Sequence, residues 1–129
     1  MMKNDKNFSL RKQEITQKFL FQLDKHLIDL KTGLTENAYE VNDFAKLLFI
    51  NPNHLSDTIK VFLGKSPCTI YEEKLIEVSK ELIQYSGKPI NEIARTLDYD
   101  PSNFTKFFKK FTGITPSKYR KVNTEKLTF

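Results

Sequence analysis

Apolar residues recur along this chain with helical spacing, and proline, glycine and short polar clusters mark the breaks between the runs. Leu10, Ile15, Phe19, Leu20, Leu23, Leu27, Ile28 and Leu30 keep close to a three-to-four spacing, which predicts a long amphipathic helix over about 9–31. Ser9 is placed to cap it and Gly33 to end it, with a polar, frayed start at Met1–Asn7 and a loop over Lys31–Tyr39. Ile70, Tyr71, Leu75, Ile76, Val78, Leu82 and Ile83 predict a second long helix, apolar on more than one side, as expected of a spine that touches two lobes. Around this spine the pattern is finer: short apolar run, tight turn, second helix.

The clearest instance is Ile90–Arg120. Ile90, Ile93, Ala94 and Leu97 form a short helical run that Asp98-Tyr99-Asp100 interrupts. Asp100 can cap the next helix, because its carboxylate can accept from an unpaired backbone N–H. Pro101 suits the first helical position, where its missing N–H costs nothing. Gly113 follows Thr112 at the predicted end of that helix, and Pro116 lies just beyond. At about 100° per residue, Phe104, Phe107, Phe108 and Phe111 share one arc of roughly 100°, wide enough for a core-facing stripe. Ser102, Lys106, Lys109 and Lys110 take the opposite side, with Asn103 at its edge. Small Ala94, a turn at Asp98 and apolar Phe104 give the spacing of a helix-turn-helix. The small residue lets the two helices approach, and the apolar one plugs their junction.

The unit occurs twice. Val41–Pro67 set against Ile90–Pro116, at an offset of 49 residues, gives eight identities in 27 positions, including Ala45/Ala94, Pro52/Pro101, Gly64/Gly113 and Pro67/Pro116. Ala45, a turn at Phe49 and Leu55 restate the small–turn–apolar spacing. The predicted fold is therefore all-α with about seven helices: an N-terminal tail and long helix over 1–40, a first helix-turn-helix over 41–68, a linker helix over 69–86, a second helix-turn-helix over 87–122 and a tail over 123–129.

The second copy, with its IA…DP..F…FKK..G.TP..YR pattern, resembles the DNA-binding domain of the AraC/XylS family of transcription regulators, which carries two such units; the resemblance covers about 41–121. It implies binding to double-stranded DNA in two adjacent major grooves and regulation of transcription. It also admits RNA polymerase as a second partner, and a sensor domain elsewhere if the chain is part of a longer protein. On this match Ser102, Asn103 and Lys106 are expected to touch base edges in one groove, and Asn53, Ser56 and Asp57 in the next. Lys60, Lys65, Lys109, Lys110, Lys118 and Arg120 are expected at phosphates. Two positions depart from the family: Asp98 and Phe49 stand where it usually has glycine.

Charge sharpens the expectation. The net charge is +5, and residues 1–40, 41–85 and 86–129 contribute +1, −1 and +5 in turn, so the whole excess surrounds the second unit. A local basic excess favours an anionic partner. The two outer helix faces differ in kind, since Asp57 occupies the repeat position of Lys106. Phosphate repels a carboxylate in a major groove, yet a carboxylate can accept from a cytosine amine. Either the first copy reads a base through Asp57, or it binds weakly and mainly positions the protein. The 17 residues Thr69–Tyr85 span about 26 Å as a helix, a spine suited to recognition helices about one duplex turn (~34 Å) apart.

Little favours chemistry. His26 and His54 are the only histidines and have no ligand spacing, Cys68 is the only cysteine, and Glu72, Glu73, Glu77 and Glu81 sit at helical spacing like carboxylates on a solvated face. There is no Gly-rich phosphate loop or nucleophile–base signature. No enzyme activity, cofactor or metal is expected. With no apolar run near 18 residues and no signal peptide at the start, no membrane partner is expected and the chain reads as cytoplasmic. The competing function is a helical protein-interaction module whose basic C-terminal face meets an acidic protein.

Overall fold

The computed structural model describes the backbone of residues 2–127 and the side chains of residues 10–124. Among the described residues there are seven helices and no strand: α1 (Met2–Lys31), α2 (Val41–Leu47), α3 (Pro52–Leu63), α4 (Pro67–Tyr85), α5 (Ile90–Thr96), α6 (Pro101–Thr112) and α7 (Pro116–Leu127). The predicted 49-residue repeat is carried into the backbone, since α2 and α5, α3 and α6, and the starts of α4 and α7 are offset by that number.

The chain divides into two compact units, 1–28 with 39–72, and 29–38 with 73–129. In the first, Ile15, Phe19 and Leu23 of α1 are buried, as are Phe44, Ala45, Leu55 and Ile59. Phe44 is the hub of an aromatic cluster: the rings of Phe19, Tyr39, His26 and Tyr71 all lie within 6.4 Å of it, centroid to centroid. His26 is buried and stacks on Tyr39 at 3.9 Å, while its Nε2 accepts from the Tyr39 N–H at 3.0 Å. A histidine with no motif around it is thus a core residue that ties the loop before α2 to α1.

In the second unit Leu75, Ile83, Ile93, Ala94, Leu97, Phe104 and Phe108 are almost fully buried. Phe108 meets Tyr119 edge-on at 5.4 Å, and Phe107 stacks on Tyr99 at 5.2 Å. Asp98 accepts from the Ala38 N–H at 2.8 Å, which fastens the loop after α1 to the second turn.

Four details differ from the sequence expectation. α1 begins at Met2, so Ser9 lies inside it rather than at its cap; residues 2–8 contain neither glycine nor proline to break it. Leu10 and Ile28, assigned to the buried stripe, are 55% and 58% exposed. Counting 100° per residue puts them on the side of α1 opposite Phe19, together with Phe21. Phe111, the fourth phenylalanine of the expected core face of α6, is 40% exposed at the edge and packs on Phe107 at 5.1 Å. α7 opens at Pro116 and runs through to Leu127, into the stretch expected to be a tail.

The two inter-helix turns are built alike. In the first, the Phe49 N–H donates to Lys46 and the Ile50 N–H to Ala45; in the second, Asp98 donates to Arg95 and Tyr99 to Ala94. This paired closure needs a left-handed residue at its centre. Phe49 and Asp98 supply it, with φ of 57° and 62°. Glycine should therefore relieve Phe49, whose exposed ring covers nothing. The left-handed penalty of about 1–2 kcal/mol exceeds the roughly 0.5–1 kcal/mol of chain entropy that glycine costs. Phe49→Gly is expected to raise the melting temperature. Asp98→Gly is expected to be near neutral, because the same relief is offset by loss of the bond to Ala38. Two parallel thermal melts check the pair, and a clear loss in Phe49→Gly would contradict the turn geometry.

Candidate nucleic-acid interface

Three local devices aim α6. Asp100 Oδ1 accepts from the N–H of Ser102 at 3.0 Å and of Asn103 at 3.4 Å, and from the Ser102 hydroxyl at 2.6 Å. Pro101 occupies the first turn, and Gly113 closes the far end with φ of 84°. Buried Phe104, Phe107 and Phe108 then fix the rotation of the helix about its axis. What remains outside is Ser102, Asn103, Lys106, Lys109 and Lys110, all exposed. No carboxylate stands among them. In the first turn, Ser102 offers a hydroxyl and Asn103 an amide at the positively polarised end of the helix, and Lys109 and Lys110 fall in its last turn.

The cap also sets a pH dependence. The hydrogen bond from Ser102, then those from the backbone of Asn103 and Ser102, hold the Asp100 carboxyl below its ordinary 3.8. A depressed carboxyl stabilises the fold above the unfolded value and loses that contribution as pH falls through the folded one. Asp100→Ala should therefore melt below the parent at neutral pH, with the gap closing as the pH falls below about 4; melts at pH 7 and pH 3 check it.

The first unit repeats the frame with different contents. The Asn51 side chain accepts from the Asn53 N–H at 2.8 Å, Pro52 follows, and Gly64 ends α3 with φ of 70°. Leu55, Thr58 and Ile59 are buried. Asn53, Asp57 and Lys60 are exposed and Ser56 half-buried, so one carboxylate and one ammonium share this face.

The expected phosphate contacts separate into two kinds. Lys60, Lys65, Lys109, Lys110 and Lys118 are exposed. Arg120 is half-buried instead: its Nε donates to the Ile83 carbonyl at 2.8 Å, and its Nη2 is buried. It therefore ties α7 to the last turn of α4, where the helix leaves its carbonyls unpaired. Nothing in the sequence marks this role, because the partner is a backbone atom 37 residues away. Among the described residues, no helix is long and apolar enough to cross a membrane.

A model of the helix-turn-helix domain family matches residues 44–122. The chain belongs to this family, in its AraC type. The arabinose operon regulatory protein of Escherichia coli is 28% identical over 95 residues, which are 73% of this chain and 32% of that protein. Among solved structures, the C-terminal domain of AraT, a response regulator from Geobacillus stearothermophilus, is 28% identical, with a TM-score of 0.65 over 78% of this chain and 84% of that one. The DNA-binding domain of AdpA, solved in complex with a target DNA, is 14% identical, with a TM-score of 0.71 over 87% and 94%; that is a likeness of fold. This AraC-type chain spans less than half the length of the curated relatives it matches, 46% of one and 11% of another.

Proposed function

We propose that this domain binds double-stranded DNA sequence-specifically, with α6 and α3 entering adjacent major grooves, and thereby regulates transcription. The observation that carries it is the outer face of α6: donors and three ammonium groups, no carboxylate, on a helix whose opposite face is locked in the core. A helix so held presents a fixed set of donors to base edges and phosphates, and a groove lined by phosphate selects for that charge. Membership of a family of transcription regulators supports the same reading. Ser102, Asn103 and Lys106 read bases, and Lys109, Lys110 and Lys118 meet phosphates; Asn53, Ser56, Asp57, Lys60 and Lys65 are the corresponding set in the first unit. Arg120 acts through the fold by positioning α7. RNA polymerase as a second partner, and a cytoplasmic location, belong to the same proposal. Selection from a randomised duplex library tests it. Recovery of one motif with two half-sites about one turn apart supports it, and recovery of no motif overturns it.

The unequal faces give a sharper test. α6 provides most of the affinity, and α3, with Asp57 opposing Lys60, refines the choice of site. If Asp57 accepts from a cytosine N4 amine, Asp57→Ala loses about 1–3 kcal/mol of discrimination at one base pair, while general affinity rises because a repulsive charge has gone. If Asp57 is only solvated, affinity rises and the selected motif is unchanged. Profiling parent and variant against one library distinguishes the two. A variant that binds all DNA more weakly contradicts both.

A further inference from the structure

The molecule has a second exposed feature, on the far side of α1 from its core. Leu10, Phe21 and Ile28 fall within an arc of about 20° when counted at 100° per residue, and they are 55%, 67% and 58% exposed. Phe21 lines one side of an open hollow of about 510 Å³, bounded also by Glu14, Gln17 and Lys18 of α1, by Leu47 at the end of α2 and by Phe49 of the first inter-helix turn. Phe49 is 94% exposed in a left-handed conformation. A large aromatic side chain fully in water on a strained backbone is costly twice over, and the fold itself gains nothing from it.

We propose that this face binds a second copy of the chain, with the two α1 helices antiparallel. The register of the exposed residues along α1 favours this pairing. In an antiparallel pair each residue opposes the one at equal distance beyond a common midpoint. Leu10 and Ile28 oppose each other about a midpoint at residue 19. Glu14, which bridges to Lys18 of its own helix at 2.9 Å while staying 62% exposed, and Lys25 lie on the same flank of the stripe, and they oppose each other about a midpoint between residues 19 and 20. Half a residue separates the two midpoints, less than about 1 Å along a helix axis. The same register carries each Phe21 opposite Gln17–Lys18 of the copy, the middle of its hollow. A closed cavity of about 150 Å³ already takes a benzene ring, so the hollow has room for a benzyl group. Apolar pair, charge pair and ring-in-hollow thus close around one two-fold axis, and an isologous contact requires that self-complementarity. The whole surface belongs to the first unit. It uses neither α3 nor α6, so the contact stands whether or not the DNA reading does.

Sedimentation equilibrium of the full 129-residue chain without DNA tests the proposal. The parent is expected to dimerise reversibly, with a Kd of roughly 1–100 μM for so narrow a contact. Phe21→Glu should weaken the dimer by roughly 100-fold, since a hot-spot ring is lost and a charge buried. Glu14→Lys and Lys25→Glu alone should each weaken it about tenfold, because two symmetry-related pairs become repulsive. The double exchange should restore it to within about twofold of the parent. Phe49→Gly should weaken the dimer while raising the melting temperature, an opposition that general misfolding cannot produce. Circular dichroism checks that each variant keeps its helices, and the exposed charge exchanges keep the test decisive if Phe21→Glu does not fold. A parent still monomeric at about 500 μM overturns the proposal and gives the face to a different partner. A dimer in which the two charge exchanges add rather than compensate also overturns it.

Discussion

Phe104→Ala is expected to cost about 3–5 kcal/mol of stability, the range for deleting a buried phenylalanine. The ring is fully buried at the junction of α5 and α6, packed at 6.0–6.5 Å, centroid to centroid, from Tyr99, Phe107 and Phe108. Those neighbours are ring-shaped and are themselves held by other contacts, Phe108 by Tyr119 and Phe107 by Tyr99 and Phe111, so they cannot slide in to close the void. Domains of this kind are stable by about 5–15 kcal/mol in all, and the substitution removes a large part of that. Urea or thermal unfolding of parent and variant measures it. Phe111→Ala is the internal control: with a 40% exposed ring at the edge of the same helix, it should cost clearly less. Equal losses would mean that the helix is rotated from the orientation described, and a Phe104→Ala variant that melts like the parent would remove the basis for the outer face of α6.

Replacing Lys106, Lys109 and Lys110 together by Ala should remove most of the salt dependence that α6 contributes to DNA binding. Each phosphate contact releases counterions and adds about −0.9 to the slope of log affinity against log salt. Three contacts give about −2.7, so between 50 and 200 mM salt the triple variant should lose about 40-fold less affinity than the parent. Single replacements should each flatten the slope by about one unit. The exposed positions of all three make the experiment clean, since the core of α6 is untouched. Lys109 and Lys110 should weaken all sequences alike. Lys106, nearer the N-terminal half of the helix, should also shift preference at one base pair. Arg120→Ala should behave in the opposite way, lowering the melting temperature through loss of the bond to Ile83 while leaving the slope nearly unchanged. Unaltered slopes in every lysine variant would return the basic face to solvent or to an acidic protein.

Almost everything that frames the candidate interface is local, and so was legible in the chain. A cap such as Asp100, a proline at the first helical position and a closing glycine act within four residues of one another. The 49-residue repeat placed the second set of the same devices at Asn51, Pro52 and Gly64. The left-handed turns at Phe49 and Asp98 could be expected because two copies of one turn must share one geometry. Helical periodicity also determined which side of α6 is core, since three adjacent phenylalanines at the right spacing leave a helix one way to face.

The tertiary structure decided what depends on distant partners. Periodicity assigned Leu10 and Ile28 to the buried side because an apolar residue looks the same to a pattern wherever its helix turns it; only the burial of Phe19 and Leu23, with Phe19 edge-on to Phe44, shows that they face outward. Arg120 reads as one more cation beside the lysines, and the carbonyl of Ile83, which any residue would carry, is what takes it. His26 likewise becomes structural through the N–H of Tyr39. Side-chain identity and short-range spacing determined the elements, their caps and their chemistry. Long-range contacts to featureless backbone atoms and the rotation of α1 decided which of those residues hold the fold and which are left to meet a partner, because neither leaves a signature in the order of residues.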